Sequence, residues 1–159
     1  MTTPTPFIAG NSFRTILWGG LLAGAFDLGF AFIYYGPKLG VVQSVAGGLL
    51  GRTAAYQGGV PTALLGGLLH FLIAFIWAGI FCVLSRRLPT LVQHAIPAGL
   101  AFGLVVFYGM NLVVLPLSAL HTKAWPPPFA FWPIAMHMVI IGLPIALITR
   151  KFSRINCLQ

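Results

Sequence analysis

Long apolar runs, interrupted by proline, glycine and basic residues, dominate the pattern of this chain. A helix that spans a bilayer needs about 20 mostly apolar residues. Four stretches are long enough, at about 15–36, 61–85, 95–119 and 129–149. The breaks between them carry prolines and glycines, which end helices by removing a hydrogen-bond donor or loosening the backbone. The pattern therefore predicts four transmembrane helices.

A fifth apolar segment, at about 41–51, is too short to cross a membrane. It predicts a short helix that either lies on the outer surface of the bilayer or dips into the bundle as a re-entrant segment. A segment at 1–14 precedes the first span, and a basic tail at 150–159 follows the last. The predicted fold is all-α, an integral membrane four-helix bundle with one short interfacial or re-entrant helix on its outer side.

Composition agrees with this interpretation. Of 159 residues, 58% are hydrophobic and only 6% are charged, whereas a soluble domain carries about 25% charged residues. The formal net charge of +8 would usually suggest nucleic acid as a partner. Here, however, the basic residues lie singly or in pairs between apolar runs, and we expect a lipid bilayer and no nucleic acid.

The distribution of lysine and arginine predicts the orientation, because cytoplasmic loops carry an excess of these residues. If four helices alternate in direction, six basic residues lie on one side and three on the other. The larger set comprises Arg14, Arg86, Arg87, Arg150, Lys151 and Arg154, and the smaller set Lys38, Arg52 and Lys123. Both termini are therefore predicted to be cytoplasmic. The competing interpretation of the first span, a cleaved signal peptide, is disfavoured because its apolar stretch resumes after Asp27.

Pairs of glycines spaced by four residues predict close packing between helices. They occur at Gly20 and Gly24 in the first span and at Gly99 and Gly103 in the third. Membrane helices associate by close backbone approach at such small residues. We expect a tight bundle that associates with itself or with other membrane subunits.

One polar side chain per span lies at a common depth: Asp27, His70, Asn111 and His137. Each is about eight or nine residues from the outer end of its span, which places it roughly 12–14 Å below the boundary. The hydrocarbon core is about 30 Å thick, so all four lie near its middle. An ionisable residue at this depth costs several kcal/mol unless it is paired, which makes these residues a candidate functional site.

Four interpretations of this layer remain open from the sequence. It forms a structural hydrogen-bond cluster in which Asn111 supports a bond between Asp27 and a histidine, or it forms a proton or ion path. Alternatively, His70, His137 and Asp27 bind a transition metal, or the two histidines hold a haem.

Two further residues are secondary candidates. Tyr108 lies one turn before Asn111 and is able to complete the hydrogen bonding of the layer. Arg52 either pairs with Asp27, if the short segment enters the bundle, or anchors the chain at the outer headgroups.

Enzymatic chemistry is not expected. The chain has a single carboxylate side chain, which excludes catalysis by a carboxylate pair within it, and it shows no nucleophile, metalloprotease or phosphate-loop motif. We predict a non-enzymatic accessory or self-associating membrane subunit. The alternative is a small protein for proton or ion transport or for binding a metal or haem.

Four pieces of the chain carry a family resemblance: 19–27, 69–75, 110–117, and His137 together with 142–144. With them the chain resembles the YagU-like proteins, small four-helix bacterial inner-membrane proteins without a settled activity. The resemblance implies bacterial origin and an inner-membrane location. It carries no catalytic residues over to this chain.

Overall fold

The computed structural model describes residues 11–122 and 131–155. These residues form helices and connecting turns, with no strand among them, so the all-α prediction is confirmed. The predicted break at 123–130, most of the N-terminal segment and the end of the basic tail lie outside the described residues. The helices are α1 (Ser12–Tyr35), α2 (Leu39–Leu50), α3 (Arg52–Gln57), α4 (Gly59–Arg87), α5 (Thr90–Gln93), α6 (Ala95–Leu117) and α7 (Phe131–Ser153).

Four of these helices, α1, α4, α6 and α7, are long and apolar enough to cross a membrane. Local chemistry sets their ends. The Asn11 side chain accepts a hydrogen bond from the Arg14 backbone N–H at the start of α1. Gly36, with φ of 80°, ends α1 in a backbone conformation that glycine adopts without strain. Arg86 and Arg87 occupy the last turn of α4, where positive charge complements the helix dipole.

Glycine contacts hold the spans together. α1 packs against α4 and α7, and α7 packs against α1 and α6. At Gly24 an added Cβ would lie 2.9 Å from the Phe71 ring of α4. At Gly99 it would lie 2.9 Å from the Gly142 carbonyl oxygen of α7. The backbones thus approach as closely as small residues permit, which is how membrane helices gain packing contacts.

The hydrophobic core occupies one half of the bundle. We call the end of the bundle nearest this core the tail end, because the basic C-terminal residues of α7, such as Arg150, lie there. At the same end, Arg86 of α4 donates a hydrogen bond to the Ser12 hydroxyl of α1. Aromatic rings join α4 to α6 in this half, with the Phe81 and Phe102 centroids 4.9 Å apart. The buried cluster comprises Ala23, Ala78, Phe81, Ala95, Phe102, Val106, Ile141, Ile145 and Ala146.

Helix α2 lies at the opposite end, which we call the α2 end. Its Gln43 Nε2 donates to the Gly59 carbonyl oxygen at 2.9 Å and to the Thr62 hydroxyl at 3.1 Å. Near its last turn, the Gly48 carbonyl accepts a hydrogen bond of 2.8 Å from the Ala119 N–H. Helix α2 is therefore fastened to the first turns of α4 and to the chain that follows α6, while a cleft separates most of it from α1.

Two spans contain a wide π-helical turn, at Met110–Val114 in α6 and His137–Gly142 in α7. Each turn ends two residues before a proline, Pro116 or Pro144. Proline lacks an N–H, and its ring collides with the carbonyl four residues earlier. A π turn is one way in which a membrane helix satisfies the freed backbone groups, and such turns are frequent at functional sites.

Candidate functional site

A cavity of about 180 Å³ lies between the spans, where the core ends. Three of the four predicted polar residues line it: Asp27 of α1, His70 of α4 and His137 of α7. Its remaining lining is mainly apolar and includes Trp77 and Met110. Both π turns contribute to this wall, since Met110 begins one and His137 begins the other.

A second cavity, of about 530 Å³, fills the cleft between α1 and α2. Tyr35, Lys38 and Tyr56 line it and are exposed, so it opens at the surface at the α2 end. Asp27, Val45 and His70 line both cavities. The two cavities are therefore adjacent, and two of the three polar side chains, Asp27 and His70, also line the cavity that opens at the α2 end.

Each histidine has one ring nitrogen bonded to a backbone carbonyl. His70 Nε2 lies 2.9 Å from the Gly24 oxygen on the neighbouring helix, and His137 Nδ1 lies 2.7 Å from the Pro133 oxygen within its own helix. A carbonyl oxygen only accepts, so the bonded nitrogen donates in both cases. In the neutral rings, His70 Nδ1 and His137 Nε2 are consequently the basic nitrogens. Each ring is able to take up a proton without losing its existing bond.

Asp27 is the acidic residue of the site, and within the described residues its carboxylate makes no hydrogen bond or ion pair. The sequence predicted either Arg52 or a histidine as the partner of Asp27. Arg52 is exposed at the start of α3 and forms no ion pair with Asp27 there. The bond between Asp27 and a histidine that the structural cluster requires is likewise not found in this part of the chain.

The fourth polar residue, Asn111, does not line the cavity of the other three. Its Nδ2 donates to the Phe107 carbonyl oxygen one turn earlier, at 2.8 Å, and it lines neither cavity. Tyr108 is more than one third exposed and packs edge-on against the Phe107 ring. Of the four predicted residues, Asp27, His70 and His137 therefore line one cavity, and the common depth of all four stays a prediction.

The side chains and the volume of the cavity can also be compared with what a metal ion or a haem requires. In the described ranges, no three His, Cys, Asp or Glu side chains lie close enough to hold one metal ion. Ligand pockets usually begin near about 300 Å³, so the 180 Å³ between His70 and His137 do not accommodate a haem in this conformation.

Several lining residues were missing from the sequence prediction: Lys38, Val45, Trp77 and Met110. A signal existed for Trp77, which lies seven residues after His70 and so shares its helix face. For Val45 and Lys38 there was no comparable signal, because their position depends on how α2 packs.

Comparison with models of known protein families, with curated proteins and with solved structures gives no match to this chain. The resemblance to the YagU-like proteins therefore stays a prediction. Any function must be argued from the cavity itself.

Proposed function

We propose that this chain is a small membrane transport protein that admits protons from the α2 end to Asp27, His70 and His137. One observation carries the proposal: titratable side chains from three spans line one cavity, and Asp27 and His70 also line a second cavity that opens at the surface. Ionisable residues inside a membrane typically mark ion pathways and proton relays. We propose further that it lies in a bacterial inner membrane with both termini cytoplasmic and acts without catalysis.

The chemistry of the three side chains suits proton exchange. Both histidines keep a basic ring nitrogen while the other nitrogen donates to a carbonyl, and imidazole nitrogens serve as proton carriers in proteins. The Asp27 carboxylate beside them is an acceptor for protons and other cations. On the far side of the cavity, the apolar cluster around Phe81, Phe102 and Ile145 lies between these groups and the tail end. In this proposal, passage across the whole membrane requires that packing to open.

Proton movement into liposomes tests this proposal. The reconstituted protein should collapse an imposed pH gradient, followed by a trapped pH-sensitive dye, faster than empty liposomes do. Asp27→Asn should reduce the protein-dependent rate at least tenfold. The matched control is Asn111→Leu, which removes a polar group at a similar depth that lines neither cavity. Equal rates for wild type and Asp27→Asn, or no rate above empty liposomes, would contradict the proposal.

An accessory or self-associating subunit is the second candidate, and one surface favours it. Leu64, Leu68, Leu72 and Ile76 recur every four residues along α4, and all are exposed. Such a stripe covers one face of a helix. It faces either lipid or a neighbouring subunit, and cysteine cross-linking at Leu68→Cys in native membranes distinguishes these two environments.

A further inference from the structure

The second cavity presents one acidic side chain, Asp27, in a chain that holds nine lysines and arginines and no other acid. None of these basic side chains forms an ion pair with Asp27 within the described residues. Asp27 is partly exposed and lines the cleft that opens at the surface, so its carboxyl oxygens are accessible from solution. The carboxyl group is therefore available to a proton or to a cation that the protein itself does not supply.

The surroundings of Asp27 favour an organic cation over a metal ion. Calcium and magnesium require about six oxygen ligands, whereas this cavity offers one carboxylate among mostly apolar and aromatic residues such as Leu28, Ala31 and Tyr35. Aromatic faces attract cations, most strongly where water is excluded, and Tyr35 and Tyr56 both line the cleft. A volume of about 530 Å³ lies within the range of pockets that hold drug-sized molecules.

We propose that the cleft between α1 and α2 binds a monovalent lipophilic organic cation, with its charge at Asp27. This inference rests on the proposed function, because the cation and the proton compete for the same carboxylate. Where Asp27 holds a proton, binding of the cation releases that proton towards the α2 end and leaves one ion pair. No charge then accumulates in the cavity, since one positive charge replaces another.

Lys38 gives the proposal a directional test. It lines the same cleft as Asp27 but is exposed at the mouth. A cationic ligand is repelled by Lys38 through solvent, so Lys38→Gln should raise its affinity by about twofold, the size expected of a screened charge contact. An anionic ligand should respond in the opposite direction.

The experiment compares two ions of the same shape and opposite charge, tetraphenylphosphonium and tetraphenylborate, on the full chain in lipid nanodiscs. Equilibrium dialysis should show saturable binding of the phosphonium, and nanodiscs without protein provide the background. Affinity should fall by up to tenfold per pH unit as the solution is acidified, because the proton competes. In weak buffer, binding should release up to one proton per ion, and Asp27→Asn should reduce affinity at least tenfold while Asn111→Leu leaves it unchanged.

Several results would overturn the inference: equal binding of both ions, binding independent of pH, or full affinity in Asp27→Asn. If Asp27→Asn does not fold, two measurements on wild type test the inference instead. These are the comparison of phosphonium with borate binding and the pH dependence of phosphonium binding. Proton movement that depends on Asp27 without phosphonium binding would reject this inference and keep the proposed function. Phosphonium binding at Asp27 without proton movement into liposomes would instead reject the proposed transport.

Discussion

The two halves of the bundle are built differently. In the tail-end half, backbones touch through glycines, and aromatic rings fill the remaining space between α4 and α6. In the half nearer α2, α1 and α2 separate and two cavities lie between the helices. Close packing resists changes of even one methyl group, whereas a cavity tolerates them. The polar side chains of the site lie where the two kinds of packing meet.

This difference in packing indicates that the two halves of the same four helices have different roles. In the tail-end half, the spans approach so closely at Gly99 and Gly142 that no room remains for one methyl group. The other half holds the titratable groups and the opening to the surface. Matched substitutions in the two halves test this difference in packing.

The largest loss of stability is expected from Gly103→Ala. An added Cβ would collide with backbone atoms of His137 and Met138, and backbone cannot move aside as a side chain does. We expect a loss of about 3 kcal/mol in the free energy of unfolding, at the upper end of typical overpacking. Denaturant unfolding in detergent micelles measures it. In Gly29→Ala, where the new Cβ meets open space, stability should instead rise by roughly 0.5–1 kcal/mol.

A smaller loss, about 2 kcal/mol, should follow from Gly66→Ala. There the Cβ would collide with the Val42 carbonyl of α2, so α2 must shift away from α4. The neighbouring Gly67→Ala is the control, because its Cβ would lie 3.7 Å from the Val42 side chain, an ordinary contact. Thiol labelling of Val45→Cys, in a chain with Cys157→Ser, should accelerate in the first variant only. Equal labelling rates would show that α2 is not held at Gly66.

Removing the hydrogen bond between α4 and α1 should lower the free energy of unfolding by less than either glycine substitution. His70→Phe keeps the ring but loses the hydrogen bond to the Gly24 carbonyl, and such bonds between membrane helices are worth about 0.6–1.7 kcal/mol. His137→Phe loses a bond within its own helix only, so its unfolding free energy should change by less than half as much. A larger loss in His137→Phe than in His70→Phe would contradict this assignment of the two bonds.

The smallest effect on stability is expected at Asp27, the residue on which the proposed function depends. Asp27 has no bonding partner in the described part of the chain, so Asp27→Asn removes an unfavourable charge and no stabilising contact. Its unfolding midpoint in detergent should equal or slightly exceed that of wild type. A clear decrease in the midpoint would show that the carboxylate is a structural hydrogen-bond partner and would favour the accessory-subunit interpretation.

The sequence was sufficient for the fold and for part of the site, for a physical reason. Apolar length determines whether a helix can cross a membrane, and the rise per residue determines depth. Depth counting selected four residues, and three of them, Asp27, His70 and His137, line one cavity. It could not determine how each helix is rotated, and Asn111 shows the consequence. This residue lies in a π turn, where the regular period of 3.6 residues no longer applies. Pro116 and Pro144 were the available signals for both turns.

The aromatic contact between Phe81 and Phe102 has an electrical consequence. It lies on the tail-end side of Asp27, so in the proposed function protons reach the carboxyl group from the compartment at the α2 end. A charge moved across the whole membrane changes in energy by about 2.3 kcal/mol per 100 mV. A proton that travels about half of that distance gains or loses roughly 1 kcal/mol per 100 mV. The fraction of Asp27 that holds a proton would then depend on the membrane potential as well as on the pH.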